Sequence, residues 1–480
     1  MSCGPSSDGP RCERVAGEQA GWWHSGCDSD QTGVTVGAQT RSASSGGGRS
    51  SGGARYLRLV GIGLLIGVPA AFAAALFLAL VHDLEQWLWT DLPHALGAQT
   101  PPWYLVLCLP LVGAAVVVVA RRFLPGDGGH EPLRGLDPTP TPVRNAPGVL
   151  LAALGTLSFG AVLGPEMPII AVGSIVGLAV TERIRLRDQE QRMMASAGEF
   201  SAISALFGGP IVAGMLLVES GVGLGVKLLP ALLPGLVAAG IGYTIFIGFG
   251  SWGGLDAPGL AVPNLPAYHG LHAGALLLGV VIGVLTAVVI AVVHRLGRRV
   301  VSLRDRLGMP FLLLAGGLVT GALAELAELL GANSQDVLFS GQTAIPVLAA
   351  VNSTKVLVIL LVAKTIAYVV CLGCGFRGGP IFPALFVGIG LASFGELWFN
   401  ASPTLVVAVG AAAALAAQTK LLMSPLVLAL LLVGVAGENA MPAAVFASAA
   451  AWLTIHMLER EKSEEQPREA EPAAGRRAAG

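Results

Sequence analysis

The sequence predicts an all-α polytopic membrane protein, folded as two inverted-topology repeats with many broken and tilted helices. Three observations predict this class. The 480 residues are 54% hydrophobic and only 12% charged, about half the charge of a soluble domain. Apolar stretches recur that are long enough to cross a bilayer, at about 20 residues each. The chain also repeats its own Gly and Pro punctuation at an offset of 215 residues. A water-soluble fold could not bury so much apolar surface behind so few charges. The formal net charge of −1 excludes a basic nucleic-acid binder as the main theme. Six scattered cysteines imply no disulfide framework, and Cys371 and Cys374, a CxxC inside an apolar run, read as packing.

Taken in order, residues 1–54 are polar and Gly/Ser-rich, without periodicity. Such a composition cannot bury enough surface to order itself, so this stretch reads as a disordered cytoplasmic tail. It has no apolar core behind a positive start, so it is not a signal peptide. Trp22, Trp23 and His24 read as stray aromatics in it. One membrane domain follows over 55–458, with halves of about 55–250 and 270–458, and then a charged cytoplasmic tail over 459–480. Long runs are Leu57–Val81, Tyr104–Ala120, Ala273–Val293 and Val356–Cys371. Val149–Leu163, Ile169–Val180, Ala205–Val218, Gly379–Gly390 and Pro425–Val435 are short or broken and read as half-helices. Broken helices at membrane depth survive only when buried in protein or lining a cavity. That favours a transporter or channel over a receptor or anchor. Loops 83–102, 251–269 and 332–354 lack Lys and Arg, whereas 121–144, 183–192 and 295–306 are rich in Arg. The positive-inside rule then puts both termini in the cytoplasm of a cell-membrane protein.

The repeat is the most informative feature. Gly160, Gly164, Pro168, Gly173 and Pro210 map onto Gly375, Gly379, Pro383, Gly388 and Pro425. In inverted-repeat transporters the substrate site lies near the midplane, where discontinuous helices of the two halves meet. Gly164-Pro165-Glu166-Met167-Pro168 and Gly379-Pro380-Ile381-Phe382-Pro383 mark that place. Both read as helix N-termini, whose free N–H groups and partial positive charge bind anions. An anion site built from backbone amides is expected, rather than one built from Lys or Arg. Glu166 maps onto Ile381 and breaks the symmetry. A carboxylate at the mouth of a helix N-terminus can occupy the place of a permeant anion, and protonation would loosen it. An ionisable residue at membrane depth is a functional candidate.

These segments resemble the ClC family of chloride channels and proton-coupled chloride exchangers. Gly126-Asp127-Gly128-Gly129-His130-Glu131 resembles its Gly-Ser-Gly-Ile-Pro-Glu motif. Gly164 to Pro168 resembles Gly-Lys/Arg-Glu-Gly-Pro. The stretch from Lys364 through Cys371, Gly375 and Gly378 to Pro383 resembles the approach to Gly-x-Phe-x-Pro. The resemblance implies a homodimer in which each subunit has its own anion path. It places Asp127, Gly128, Gly129, Gly164, Pro165, Met167, Gly379, Pro380, Ile381 and Phe382 along that path and puts Glu166 on the gating, proton-accepting glutamate. It implies chloride or a similar small anion, and protons, as the species moved. No cofactor and no metal are implied.

The departures matter as well. Asp127 stands where the family has an anion-binding Ser, and a carboxylate there repels an anion unless it is protonated or turned away. Pro165 replaces a basic residue, Met167 a Gly, and Phe382 is shifted by one place. The inner proton-transfer glutamate of exchangers falls on Ser220, which cannot titrate, so Glu219, one position before it, is the candidate for that proton role. The final helix and its chloride-coordinating Tyr have no counterpart. Channel and exchanger both stay open, as does a secondary transporter of another small anion or carboxylate on the same scaffold. A membrane enzyme is not expected, for there is no HExxH, GxSxG or phosphate-binding loop. Lys364 reads as a structural partner for helix carbonyls or for a carboxylate. Arg377 reads either as concentrating anions or as facing cytoplasmic water.

Overall fold

In lipid every backbone N–H and C=O must find a partner within the protein, and the helix supplies one for each. The computed structural model describes residues 49–135, 139–184, 186–220, 229–253, 260–270 and 272–474, and among them the regular elements are helices. The first half contains α1 (Arg49–Gln86), α2 (Leu92–Ala95), α3 (Trp103–Phe123), α4 (Ala146–Leu157), α5 (Glu166–Ile184), α6 (Asp188–Phe207), α7 (Pro210–Ser220) and α8 (Leu229–Gly253). The second contains α9 (Ala273–Ser302), α10 (Arg304–Leu307), α11 (Met309–Leu329), α12 (Ser334–Val337), α13 (Ile345–Leu348), α14 (Thr354–Cys374), α15 (Ile381–Phe399), α16 (Pro403–Thr419), α17 (Met423–Val433) and α18 (Met441–Ala474). Among the described residues, eight helical segments are long and apolar enough to cross a membrane, which makes this a multi-pass membrane protein.

The repeat is visible in the helix ends. α5 and α15 start at Glu166 and Ile381 and stop at Ile184 and Phe399, which keeps the 215-residue offset at both ends. α7 and α17 are both 11 residues long. The packing repeats too. A Cβ on Gly173 of α5 would strike the carbonyl of Gly198 on α6, and one on Gly388 of α15 would strike that of Gly410 on α16. Lipid leaves little hydrophobic drive between helices, so small residues that let backbones close up carry the association. α16 shows this most fully, with Val406 through Ala417 buried.

Several expectations are corrected here. Ile169–Val180 lies inside one 19-residue helix, α5, and Gly379–Gly390 covers the entry and first half of another, α15, so neither is a half-helix. Gly173, Gly177 and Gly388 in them are contact surfaces for a neighbouring backbone rather than breakers. The run Ala205–Val218 is split instead. Gly208 takes a left-handed φ of 74°, and Pro210 opens the next helix. Much of the charged segment 183–192 is helical, closing α5 and opening α6. α1 begins at Arg49, inside the expected tail, and α18 continues to Ala474 through Glu-, Arg- and Lys-rich sequence of good helix propensity. Residues 1–48, with Trp22, Trp23, His24 and three of the cysteines, lie outside the described residues, as do Lys227 and 475–480.

Candidate functional site

Two helix N-termini converge at the seam between the halves. Just before them the backbones pair. The Gly164 N–H donates to the Gly379 carbonyl at 2.7 Å, and the Gly379 N–H returns the bond to Gly164 at 2.5 Å. These two glycines are repeat-equivalent. Equivalent residues that exchange both bonds in antiparallel fashion sit astride a two-fold axis, so the halves are inverted with respect to each other.

Glu166 opens α5, but its side chain reaches across the seam to the start of α15. The carboxylate is buried, with 1% of the residue exposed. Oε1 accepts the Phe382 N–H at 2.8 Å, and the amides of Glu166 itself and of Ile381 also act on it. Oε2 has no hydrogen-bond partner. A Cβ at either Gly164 or Gly379 would fall on this carboxylate, so both positions must be glycine for the side chain to fit. Phe207, at the end of α6, stacks on Phe382 with centroids 6.0 Å apart. Met167 and Ile381 are buried beside Glu166. The structure thus brings together Gly164, Pro165, Glu166, Met167, Gly379, Pro380, Ile381 and Phe382.

The loop Asp127-Gly128-Gly129 is tied to this centre through Arg377, two residues before Gly379. Asp127 has a φ of 48° and turns its carboxylate onto two guanidiniums. Arg121 donates to Oδ1 and Oδ2 at 2.9 Å each, and Arg377 donates to Oδ2 at 2.6 Å. Arg377 also grips the Asp127 carbonyl at 3.0 Å, and Arg121 the Gly375 carbonyl at 2.8 Å. Partial burial alone would push the Asp127 carboxyl up. The Arg121 hydrogen bond and the charges of Arg377, Arg121 and Arg304 outweigh it and hold the carboxyl below the usual range. Its charge is therefore already matched. Arg377 fits neither expectation, since it is buried and clasped to Asp127. Gly128 has no room for a Cβ between Ala152 and the stems of Arg121 and Arg377. Glu131, nearby in the same loop, pairs with Arg134 and Arg304, each at 3.3 Å.

Other polar residues are spent on structure. Fully buried Lys364 donates to the carbonyls of Asp336, Val337 and Leu338 at 2.9, 3.2 and 2.7 Å and lies over the Phe386 ring. It closes the C-terminal end of α12, the helix-carbonyl role read from its position. Glu219 caps the start of α17. It accepts the N–H groups of Leu422, Met423 and Ser424 and the Ser424 hydroxyl. Cys371 and Cys374 are buried free thiols. The sequence reading passed over Tyr368, Gln418 and His294. Tyr368 and Gln418 meet near Pro380, and their one sequence signal is a polar group inside an apolar helix.

A buried carboxylate between two inverted helix N-termini, in a multi-pass fold, defines an anion-transport protein of the inverted-repeat class. A profile of the voltage gated chloride channel family matches residues 131–454. "Putative ion-transport protein YfeO" of Escherichia coli (strain SMS-3-5 / SECEC) is 30% identical over 334 residues, which is 68% of this chain and 76% of that protein. The protein of the same name from Escherichia fergusonii matches equally well, at 30% over 334 residues. Among solved structures, a slow cyanobacterial Cl−/H+ antiporter aligns with a TM-score of 0.69 at 17% identity, over 84% of this chain and 95% of that one. A CLC-type fluoride/proton antiporter aligns with a TM-score of 0.63 at 21% identity, over 83% and 95%. These two share the fold. The chain belongs to the voltage gated chloride channel family, whose members transport anions.

Proposed function

We propose that this protein moves chloride or a similar small anion through a path that Glu166 closes, and that a proton on Glu166 opens it. One observation carries the reading. The Glu166 carboxylate occupies the amide-lined end of α15, with Oε1 on the Phe382 N–H and the site otherwise sealed by protein. An anion drawn to that helix end competes with the carboxylate for the same donors. Protonation removes the charge that wins the competition. The solved structures with this fold include antiporters of chloride and of fluoride with protons, which supports proton coupling here. The Arg-rich segments 121–144 and 295–306 support an orientation with both termini cytoplasmic, in the cell membrane. A homodimer with one path per subunit, and tails flanking the transport domain, complete the proposal.

The test is a flux screen with the purified chain in liposomes. Fluoride, chloride, bromide, nitrate and small carboxylates are compared while internal pH is recorded. Efflux of at least one halide, faster at lower pH and accompanied by proton movement, is expected. Transport of carboxylates without any halide flux would replace this reading with the carboxylate one.

A further inference from the structure

The cluster at Asp127 is built unevenly. The side chains of Arg121 and Arg377 are buried, at 2% and 3% exposed, whereas the Asp127 side chain between them is 56% exposed. Three guanidinium N–H groups converge on its carboxylate, Nε and Nη2 of Arg121 and Nη2 of Arg377. Each guanidinium is also anchored on backbone, Arg121 on the Gly375 carbonyl and Arg377 on the Asp127 carbonyl. The donors are therefore positioned by the main chain, and the carboxylate is positioned by the donors. Asp127 lies in a left-handed run with Gly126, Gly128 and Gly129, whose φ values are 91°, 72° and 98°. These glycines carry no side chain to cover the donors in its place. The charges acting on Arg377 are the positive Arg121 and Arg304 and the negative Asp127 and Glu131. With Arg377 counted, positive charge exceeds negative by one, and Glu131 is already paired with Arg134 and Arg304. An anion arriving from water is thus attracted even with Asp127 in place.

We propose that Arg121 and Arg377 form a binding site for a small free carboxylate, of the formate or acetate class, and that the Asp127 carboxylate is its resting occupant. The chain itself displays the ligand chemistry. Arg121 addresses the two oxygens separately, Nε to Oδ1 and Nη2 to Oδ2, and Arg377 adds a second bond to Oδ2. A planar carboxylate meets that fork with both oxygens, and a single spherical halide does not. Turning Asp127 out with nothing in its place would leave two guanidiniums buried and unpaired, which is strongly unfavourable. Exchange for a free carboxylate restores the same three hydrogen bonds and changes no covalent bond. The displaced Asp127 carboxylate moves into water to which it is already half open. The tether sets the affinity. A group on a short flexible link competes at an effective concentration of roughly millimolar, so the free ligand binds at about that level or above. The site lies two residues before Gly379 and does not include Glu166. It stands whether or not Glu166 gates a path.

The experiment follows melting of the full chain in detergent, over a fixed chloride background, while formate or further chloride is added at matched ionic strength. Formate is expected to raise the melting temperature of wild type and of Asp127→Ala, and added chloride to have a smaller effect. The half-maximal formate concentration is expected to be at least about tenfold lower in Asp127→Ala, which has lost the competing tether. Arg121→Lys in the Asp127→Ala background keeps the charge and removes the fork, and formate should then act no better than chloride. Asp127→Asn stands in if Asp127→Ala does not fold. Saturation transfer from the wild-type protein to the formate proton, reversed by acetate, reads binding without any variant. The proposal is overturned if wild type shows neither a formate-specific shift nor saturation transfer, if loss of the Asp127 carboxylate does not lower the half-maximal concentration, or if Arg121→Lys keeps the preference for formate. None of these readouts uses flux or Glu166, so their failure leaves the gate reading standing, and a failed gate reading leaves them untouched.

Discussion

Glu166→Gln is the sharpest perturbation of the gate, because the substitution keeps the side-chain length and an oxygen for the Phe382 N–H. What changes is the strength of the closed state. A charge-assisted hydrogen bond contributes about 1.5–3 kcal/mol and a neutral one about 0.5–1.5, so the Phe382 contact alone weakens by about 1 kcal/mol. The loss of the negative charge at the α15 N-terminus removes about 0.3–2 kcal/mol more. The new amide nitrogen falls where Oε2 lies, buried and without a partner, and an unsatisfied donor there costs about 1–3 kcal/mol. Together these weaken the closed position by roughly 2–6 kcal/mol, or a 30-fold or larger loss of occupancy at about 1.4 kcal/mol per tenfold. The assay is anion efflux from liposomes across an acid-to-neutral pH series. Wild-type efflux is expected to rise as pH falls. The variant is expected to be fast at neutral pH and nearly flat with pH. A variant that keeps the wild-type pH slope refutes the gate, however fast or slow its flux.

Three further outcomes follow from the packing and the ion pairs. Asp127→Asn leaves Arg121 and Arg377 buried with a weaker partner, and since Asp127 itself is half-exposed the loss is modest, about 1–3 kcal/mol. The wild-type carboxyl is held below its usual range, so the pair contributes fully above the ordinary Asp value of about 3.9 and is lost only as pH falls through the depressed folded value. The melting difference between wild type and Asp127→Asn in detergent should therefore stay constant between about pH 5 and 8. Gly173→Ala and Gly388→Ala each push a methyl into a facing carbonyl, and each should cost about 1–3 kcal/mol. Equal drops in melting temperature are expected, and a neutral result at one site alone would break the equivalence of the halves. Lys364→Met strips the donor from three carbonyls, each worth about 1–3 kcal/mol when left unpaired. It should therefore lower the melting temperature more than either glycine variant.

Much of the architecture was legible because membrane helices advertise themselves through punctuation and hydropathy. The offset of 215 residues located the seam, and Glu166 stood out as the acid without a counterpart. Helix lengths were less legible. Gly173 and Gly388 read as breaks when each residue is judged singly, whereas their role is defined by a neighbouring backbone that only the fold supplies. Asp127 posed a contradiction in one dimension, a negative residue on an anion route. Its answer, Arg377, lies 250 positions away in sequence. The meeting of His294, Gln418 and Tyr368 was equally out of reach, because each sits on a different helix and none carries a motif.

The Gly164–Gly379 bridge also bears on how such a molecule could have arisen from two like halves. A side chain placed on the axis of a two-fold has a twin that wants the same space. The room between the two glycines holds one carboxylate, and a Cβ on either glycine already overlaps it. A second acid at position 381 would meet the first head-on, like charge against like. The unlike pair Glu166 and Ile381 is thus the arrangement that steric exclusion requires. With that room already filled by Glu166, an apolar side chain at the repeat-equivalent position, Ile381, leaves the seam without a second charge to accommodate.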